Sequence, residues 1–189
     1  MSLDLIASLL RTTSRLSPRR QSLAEEKRYL LLSLRSAGFE IAGQGAFGVV
    51  LVRNSLAVKI VLTKESSAYL SYARMCRVGH AKNRLLPKIY AVWSMGRYSC
   101  VVMERLHVRS RKSASLCPQL RLASRNRSCA RQVGRLIGRA PASSEQALSK
   151  IQKIIQTNLH SYWDIRSDNI LFRKEGGKLR PVLVDPVAF

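Results

Sequence analysis

Asp164 and Asn169 stand five residues apart in Trp163-Asp164-Ile165-Arg166-Ser167-Asp168-Asn169-Ile170-Leu171-Phe172. A carboxylate in a short loop can orient an attacking hydroxyl and accept its proton, and an amide oxygen one loop away can hold Mg²⁺. Arg166, between them, supplies a cation that can offset the charge of a transferred phosphoryl group. Asp185 follows in Leu183-Val184-Asp185-Pro186-Val187, at the end of a strand-like run. A carboxylate there can chelate a Mg²⁺ that bridges nucleotide phosphates.

Two further elements lie earlier in the chain. Gly43-Gln44-Gly45-Ala46-Phe47-Gly48-Val49-Val50 fits G-x-G-x-x-G-x-V. In dinucleotide-binding folds such glycines open a helix, but here β-type residues follow, Val49 to Val52 and Leu56 to Val61 around an Asn54-Ser55 turn. The glycines therefore belong at a hairpin tip, where missing side chains let backbone N–H groups approach phosphates. Lys59, in Ala57-Val58-Lys59-Ile60, alternates with apolar neighbours. If Val58 and Ile60 enter a core, Lys59 points the other way, where an ammonium can neutralise α- and β-phosphate oxygens.

The elements that must position these residues are legible as periodicities. Residues 1 to 38 read as helical, with a break near Ser17-Pro18, a second helix from Leu23 to Leu34 and Gly38 as its stop. The N-terminal Leu3, Leu5, Ile6, Leu9 and Leu10 read as an amphipathic docking helix, and Asp4 argues against a processed transit segment. Strands are expected over 39 to 62, at Ile89 to Trp93 and at Ser99 to Met103, with a helix over 64 to 78. Toward the end a helix from Glu145 to Leu159, capped by Ser143, should bury Leu148, Ile151, Ile154, Ile155 and Leu159. Ile170 to Phe172, a Glu175-Gly176-Gly177-Lys178 turn and Val182 to Val184 read as a closing hairpin.

The 189 residues carry 33 Lys plus Arg against 11 Asp plus Glu, a net charge of +22. Such a field favours an anionic partner. The stretch from Arg105 to Ser144 has no acidic residue, and Arg127, Arg131, Arg135 and Arg139 recur every four positions as a basic helical stripe. Aromatic residues for base stacking are absent there, which weighs against specific single-strand recognition and makes nucleic acid a secondary partner class. Cys76, Cys100, Cys117 and Cys129 have neither zinc-site spacing nor a CxxC pair, as expected of reduced thiols. No apolar run reaches the roughly 18 residues of a membrane span, so no membrane partner is expected.

Taken in order, the four elements resemble the protein-kinase-like superfamily over residues 39 to 189. The resemblance implies an α+β, protein-kinase-like two-lobed fold: a helical extension over 1–38, a β-rich N-lobe over 39–104, and a truncated, mainly helical C-lobe over 105–189. It assigns Gly43 to Val50 and Lys59 to ATP, and Val101-Val102-Met103-Glu104-Arg105-Leu106 to the hinge, with Glu104 and Leu106 as nucleotide contacts. Asp164 and Arg166 become the catalytic pair, and Asn169 and Asp185 the Mg²⁺ ligands. Trp-Asp-Ile-Arg-Ser-Asp-Asn-Ile-Leu-Phe-Arg followed by Val-Asp-Pro-Val looks most like the early serine/threonine kinases of T-seven-like podophages (Autographiviridae). That likeness implies work in the bacterial host cytoplasm, phosphorylation of host proteins such as the transcription machinery and of the kinase itself, and host takeover.

The sequence departs from the pattern in several places. Tyr162 stands where a histidine is usual, Arg166 where a lysine is usual, and Pro186-Val187 where Phe-Gly is usual. Glu65 is the one acid between Lys59 and Glu104, early for a lysine partner. The resemblance stops shortly after Asp185, so a protein-substrate site is expected elsewhere than on an activation segment. Two other readings stay open: a catalytically weak or inactive kinase-like protein that binds and inhibits a host RNA polymerase or nucleoprotein target through its basic face, and a small-molecule phosphotransferase.

Overall fold

The computed structural model describes residues 8, 22–45, 48–80, 83–108, 110–125, 141–158 and 160–188. The expected N-terminal docking helix, the basic stripe at 127–139, Cys129, and Ala46 and Phe47 of the glycine loop lie outside them. The chain forms two units, Met1–Glu65 with Tyr90–Arg105, and Ser66–Ile89 with Leu106–Phe189. The fold is α+β, built on a five-stranded antiparallel sheet and several helices.

The first unit is a helix laid on that sheet. Ser22 opens α1 (Leu23–Ser36) with a capping box: its hydroxyl accepts from Glu25 N, and the Glu25 carboxylate accepts from Ser22 N at 2.8 Å. Leu30 and Leu34, one helical turn apart, are buried against Val58, Ile60, Cys100 and Val102. Gly38 ends the segment in the left-handed region, φ +79°.

The strands are β1 (Glu40–Gly45), β2 (Gly48–Arg53), β3 (Leu56–Leu62), β4 (Ile89–Met95) and β5 (Tyr98–Glu104), in the order β1-β2-β3-β5-β4. Asn54 turns the β2–β3 hairpin with φ 51°, as the Asn-Ser pair predicts. Glu26, 8% exposed, reaches the β4–β5 turn. Its carboxylate accepts from Arg97 N at 3.1 Å and from Arg97 Nε at 2.8 Å. Gly96 in that turn has φ +62°, and a Cβ there would come within 2.2 Å of Glu26 Oε1. A buried carboxylate thus ties helix to sheet at a turn that only glycine can make.

The second unit mixes helices with short strands: α2 (Ser67–Gly79), α3 (Ser110–Arg125), α4 (Pro141–Thr157), β6 (Tyr162–Trp163), a 3₁₀ turn (Ser167–Asn169), β7 (Ile170–Glu175), β8 (Lys178–Leu183) and β9 (Val187–Ala188). Strands β6 and β9 pair antiparallel, as do β7 and β8. Helix α4 starts at Pro141, not at Glu145, so Ser143 lies inside its first turn instead of capping it. Proline's fixed φ and missing N–H suit that first turn, where backbone donors have no intrahelical partner. Leu148 and Ile151 are buried as expected, whereas Ile154 and Ile155 are only half-buried. No helix among the described residues is long and apolar enough to cross a membrane.

Candidate active site

Residues 164–169 form a bubble between two short antiparallel ladders, β6–β9 and β7–β8. Trp163 pairs with Val187 on one side and Ile170 with Leu183 on the other. Between these rungs six residues, 164–169, face three, 184–186. Two backbone bonds fasten the bubble, Asp164 N to Pro186 O at 2.8 Å and Val184 N to Asn169 O at 3.0 Å. The surplus residues must bow outward, and Asp185 lies on the short side opposite them.

Within the bowed loop the polar groups bind one another. Asn169 is buried, and its Nδ2 donates to Asp164 O at 2.8 Å and to Asp164 Oδ2 at 3.0 Å. Arg166 Nε donates to Asp164 Oδ1 at 2.9 Å and lies 3.8 Å from Asp168 Oδ1. The Asp164 side chain is 16% exposed and those of Arg166 and Asp168 are 58% and 68% exposed. One oxygen of Asp164 is thus paired with a cation and the other with an amide, which holds the carboxylate in a fixed orientation. Sequence reasoning placed Asp164, Arg166 and Asn169 in one loop, and the structure brings their side chains into direct contact.

Sequence reasoning missed the helix that anchors this loop. Ser113, Cys117 and Arg121 recur every fourth residue on α3 and so share a face. Ser113 Oγ donates to Ile170 O at 2.7 Å, Cys117 Sγ to Ile165 O at 3.1 Å and Arg121 Nε to Ile165 O at 2.7 Å. Each bond ends on a main-chain carbonyl within or just beyond the bowed loop. The four-residue spacing of donors was available as a signal, but the surplus of arginines in that stretch obscured it.

Asp185 is half-buried, and its charge acts on α2. Burial first, then the Asp185 charge, holds the Tyr69 phenol well above its ordinary range. Burial likewise dominates at Tyr72, with Cys76, Tyr69 and Asp185 adding. The Tyr72 hydroxyl donates to Leu183 O at 2.5 Å, tying α2 to the strand that leads to Asp185.

The donor set fits Mg²⁺. Because Nδ2 of Asn169 is committed to Asp164, its Oδ1 is the amide atom that remains to meet a cation. An amide oxygen and the Asp185 carboxylate are hard oxygen donors of the kind that would hold Mg²⁺ if phosphates and water completed its shell. Among the described residues no three His, Cys, Asp or Glu side chains gather into a cation cage.

The first unit positions the other predicted residues. Gly45 pairs with Gly48 at the turn end of the β1–β2 hairpin, and Gln44 with Val49. The glycines differ in what they do. A Cβ at Gly48 would approach Ile60 O to 2.6 Å, so this glycine is required by the neighbouring strand. A Cβ at Gly43 or Gly45 would meet nothing within 4 Å, and β1 is exposed throughout. Lys59 is central in β3, paired with Val50 and Val101. Its neighbours Val58 and Ile60 are buried under α1, so Lys59 belongs to the opposite face, as the alternation predicts. Glu104 closes β5 opposite Leu56, and the boundary between the two units falls between Arg105 and Leu106. No protein-family model matches the chain, and no curated protein matches it significantly in sequence.

Proposed function

We propose that the chain is an ATP- and Mg²⁺-dependent serine/threonine protein kinase with a protein-kinase-like two-lobed fold, nearest in its motifs to the early kinases of T-seven-like podophages. On this reading it acts on host proteins and on itself in the bacterial host cytoplasm. The observation that carries the proposal is the bowed loop itself: a carboxylate oriented by Asn169 and Arg166, in a loop joined by two backbone bonds to the residues that flank Asp185.

In the proposed reaction a serine or threonine hydroxyl oxygen bonds to the γ-phosphorus of ATP. The bond from that phosphorus to the β–γ bridging oxygen breaks, ADP leaves, and the hydroxyl proton passes to the Asp164 carboxylate. Asn169 and Arg166 hold Asp164 in the orientation that this transfer needs, and the Arg166 guanidinium offsets phosphoryl charge. Mg²⁺ held by Asp185 and the Asn169 amide oxygen would supply neutralisation of phosphate charge. The open positions at Gly43 and Gly45 leave backbone N–H groups accessible to phosphates, and the Lys59 ammonium would add charge to phosphate binding.

Incubation of the purified chain with γ-labelled ATP, Mg²⁺ and a bacterial lysate tests the proposal, with Asp164→Asn as control. Label on lysate proteins or on the chain's own serines, absent with the control, is the expected result. No transfer to any acceptor overturns it. Host shutoff that survives Asp164→Asn would favour inhibition by binding alone.

A further inference from the structure

The second unit contains a cleft of about 250 Å³ lined by Arg121, Ser124, Trp163, Asp164 and Ile165. This is below the roughly 300–1,000 Å³ of pockets that enclose a drug-sized ligand, and suits one or two side chains of an extended segment. The lining groups already have specific commitments, and these define what the cleft can still bind.

Trp163 Nε1 donates to Gln152 Oε1, so the indole offers the cleft its apolar surface. Ser124 Oγ donates to Arg121 O at 2.7 Å, which leaves its lone pairs. Arg121 Nε donates to Ile165 O, and no described residue takes either terminal nitrogen of this guanidinium. No ion pair joins it to Asp164, whose carboxylate is oriented by Arg166 on one oxygen and Asn169 on the other and keeps a lone pair on each. Asp168 approaches Arg166, is exposed and does not line the cleft. The cleft therefore combines an oriented carboxylate, an apolar ring and a cation whose two terminal nitrogens keep their donors.

We propose that this cleft binds an acidic serine- or threonine-containing peptide, with the hydroxyl toward Asp164 and a neighbouring Asp or Glu carboxylate on the terminal nitrogens of Arg121. The hydroxyl part rests on the kinase reading, whereas the carboxylate part rests on Arg121 alone. A guanidinium anchored at Nε presents its remaining donors in a fixed plane, the geometry that matches a carboxylate. The chain's +22 charge draws such peptides toward it from solution.

The test uses the whole chain and two labelled peptides with one serine flanked by either Glu or Gln. Binding is read by fluorescence anisotropy and transfer by phosphopeptide formation. The Glu peptide should bind about tenfold more tightly at low salt, the size of one charge-assisted hydrogen-bonded contact. Arg121→Glu should abolish or invert that preference. Because Arg121 also anchors Ile165, a loss that strikes both peptides equally reports loop positioning, and a changed ratio reports recognition. Ser124→Lys, which leaves the anchor in place, should raise the ratio, so the assignment stays testable if Arg121→Glu does not fold. Equal binding of Glu and Gln peptides, or a ratio moved by neither variant, overturns the proposal. Anion-dependent binding without transfer overturns the kinase reading and leaves this assignment, and transfer without Glu/Gln discrimination does the reverse.

Discussion

Asn169 and Asp164 are joined twice, because one amide nitrogen donates to both the main-chain carbonyl and the side-chain carboxylate of the aspartate. The same side chain that orients Asp164 therefore also shapes the loop that carries it. Asn169→Asp would replace the amide donor with a second carboxylate against the first. It should cost about 2–4 kcal/mol in urea unfolding, since a buried acceptor loses its donor and faces a like charge. Asn169→Ala should cost less stability and still lower phosphotransfer by at least about a hundredfold if the loop works as proposed. Urea midpoints and initial rates on the same preparations separate the two effects.

The glycines of the hairpin should respond in opposite ways. Gly48→Ala forces a Cβ toward the carbonyl of Ile60 and should destabilise the chain by about 1–3 kcal/mol. Gly43→Ala and Gly45→Ala meet open space and should change stability by less than about 1 kcal/mol. Their effect should appear instead as a raised KM for ATP. Thermal melts check the first half, and initial rates across a range of ATP concentrations check the second.

Glu26 and Gly96 form a coupled pair. Glu26→Ala leaves Arg97 without its carboxylate and removes a buried acceptor from two donors, which should cost about 2–4 kcal/mol. Gly96→Ala places a methyl group on the Glu26 oxygen at a backbone angle that favours glycine, and should cost a similar amount. The double variant should be less destabilised than the sum of the two single changes, because one clash partner is then absent. Equilibrium unfolding of the four proteins checks this.

Alkaline pH should weaken the fold through its thiols. Burial raises Cys100 from the ordinary 9.0 to about 12, and burial, partly opposed by a hydrogen bond with Tyr72, does the same at Cys76. A folded-state pKa above the unfolded value means that the unfolded chain releases the proton first. The stabilisation is thus complete below pH 9 and is lost as pH rises toward 12, by up to about 1.4 kcal/mol per pH unit for each thiol. Tyr69 and Tyr72 act in the same direction above pH 10. Urea midpoints at pH 8, 9.5 and 10.5 should decline, and less steeply in Cys100→Ala.

Helix α1 and the β1–β3 hairpins are legible in the sequence because their signals are local. Ser22 with Glu25, the Leu30–Leu34 spacing and the alternation around Lys59 each act within a few residues. The five-residue separation of Asp164 and Asn169 was equally plain. Ser113, Cys117 and Arg121 were not, since they bind main-chain carbonyls, and a carbonyl leaves no complementary letter in the sequence. Strands β6 and β9 are two residues each, too short for a period to show. The start of α4 was misplaced because Pro141 and Ser143 both signal a helix beginning, and the proline prevailed.

The bowed loop and the aspartate strand both lie within residues 162–188, so their ladders close over a short stretch of chain. Closing a short loop carries a small entropic penalty, and contacts between near neighbours form quickly. The register of the loop that carries Asp164 is therefore set mainly by neighbours close in sequence, the β7–β8 hairpin beside it, whereas the α3 donors reach it from about fifty residues away.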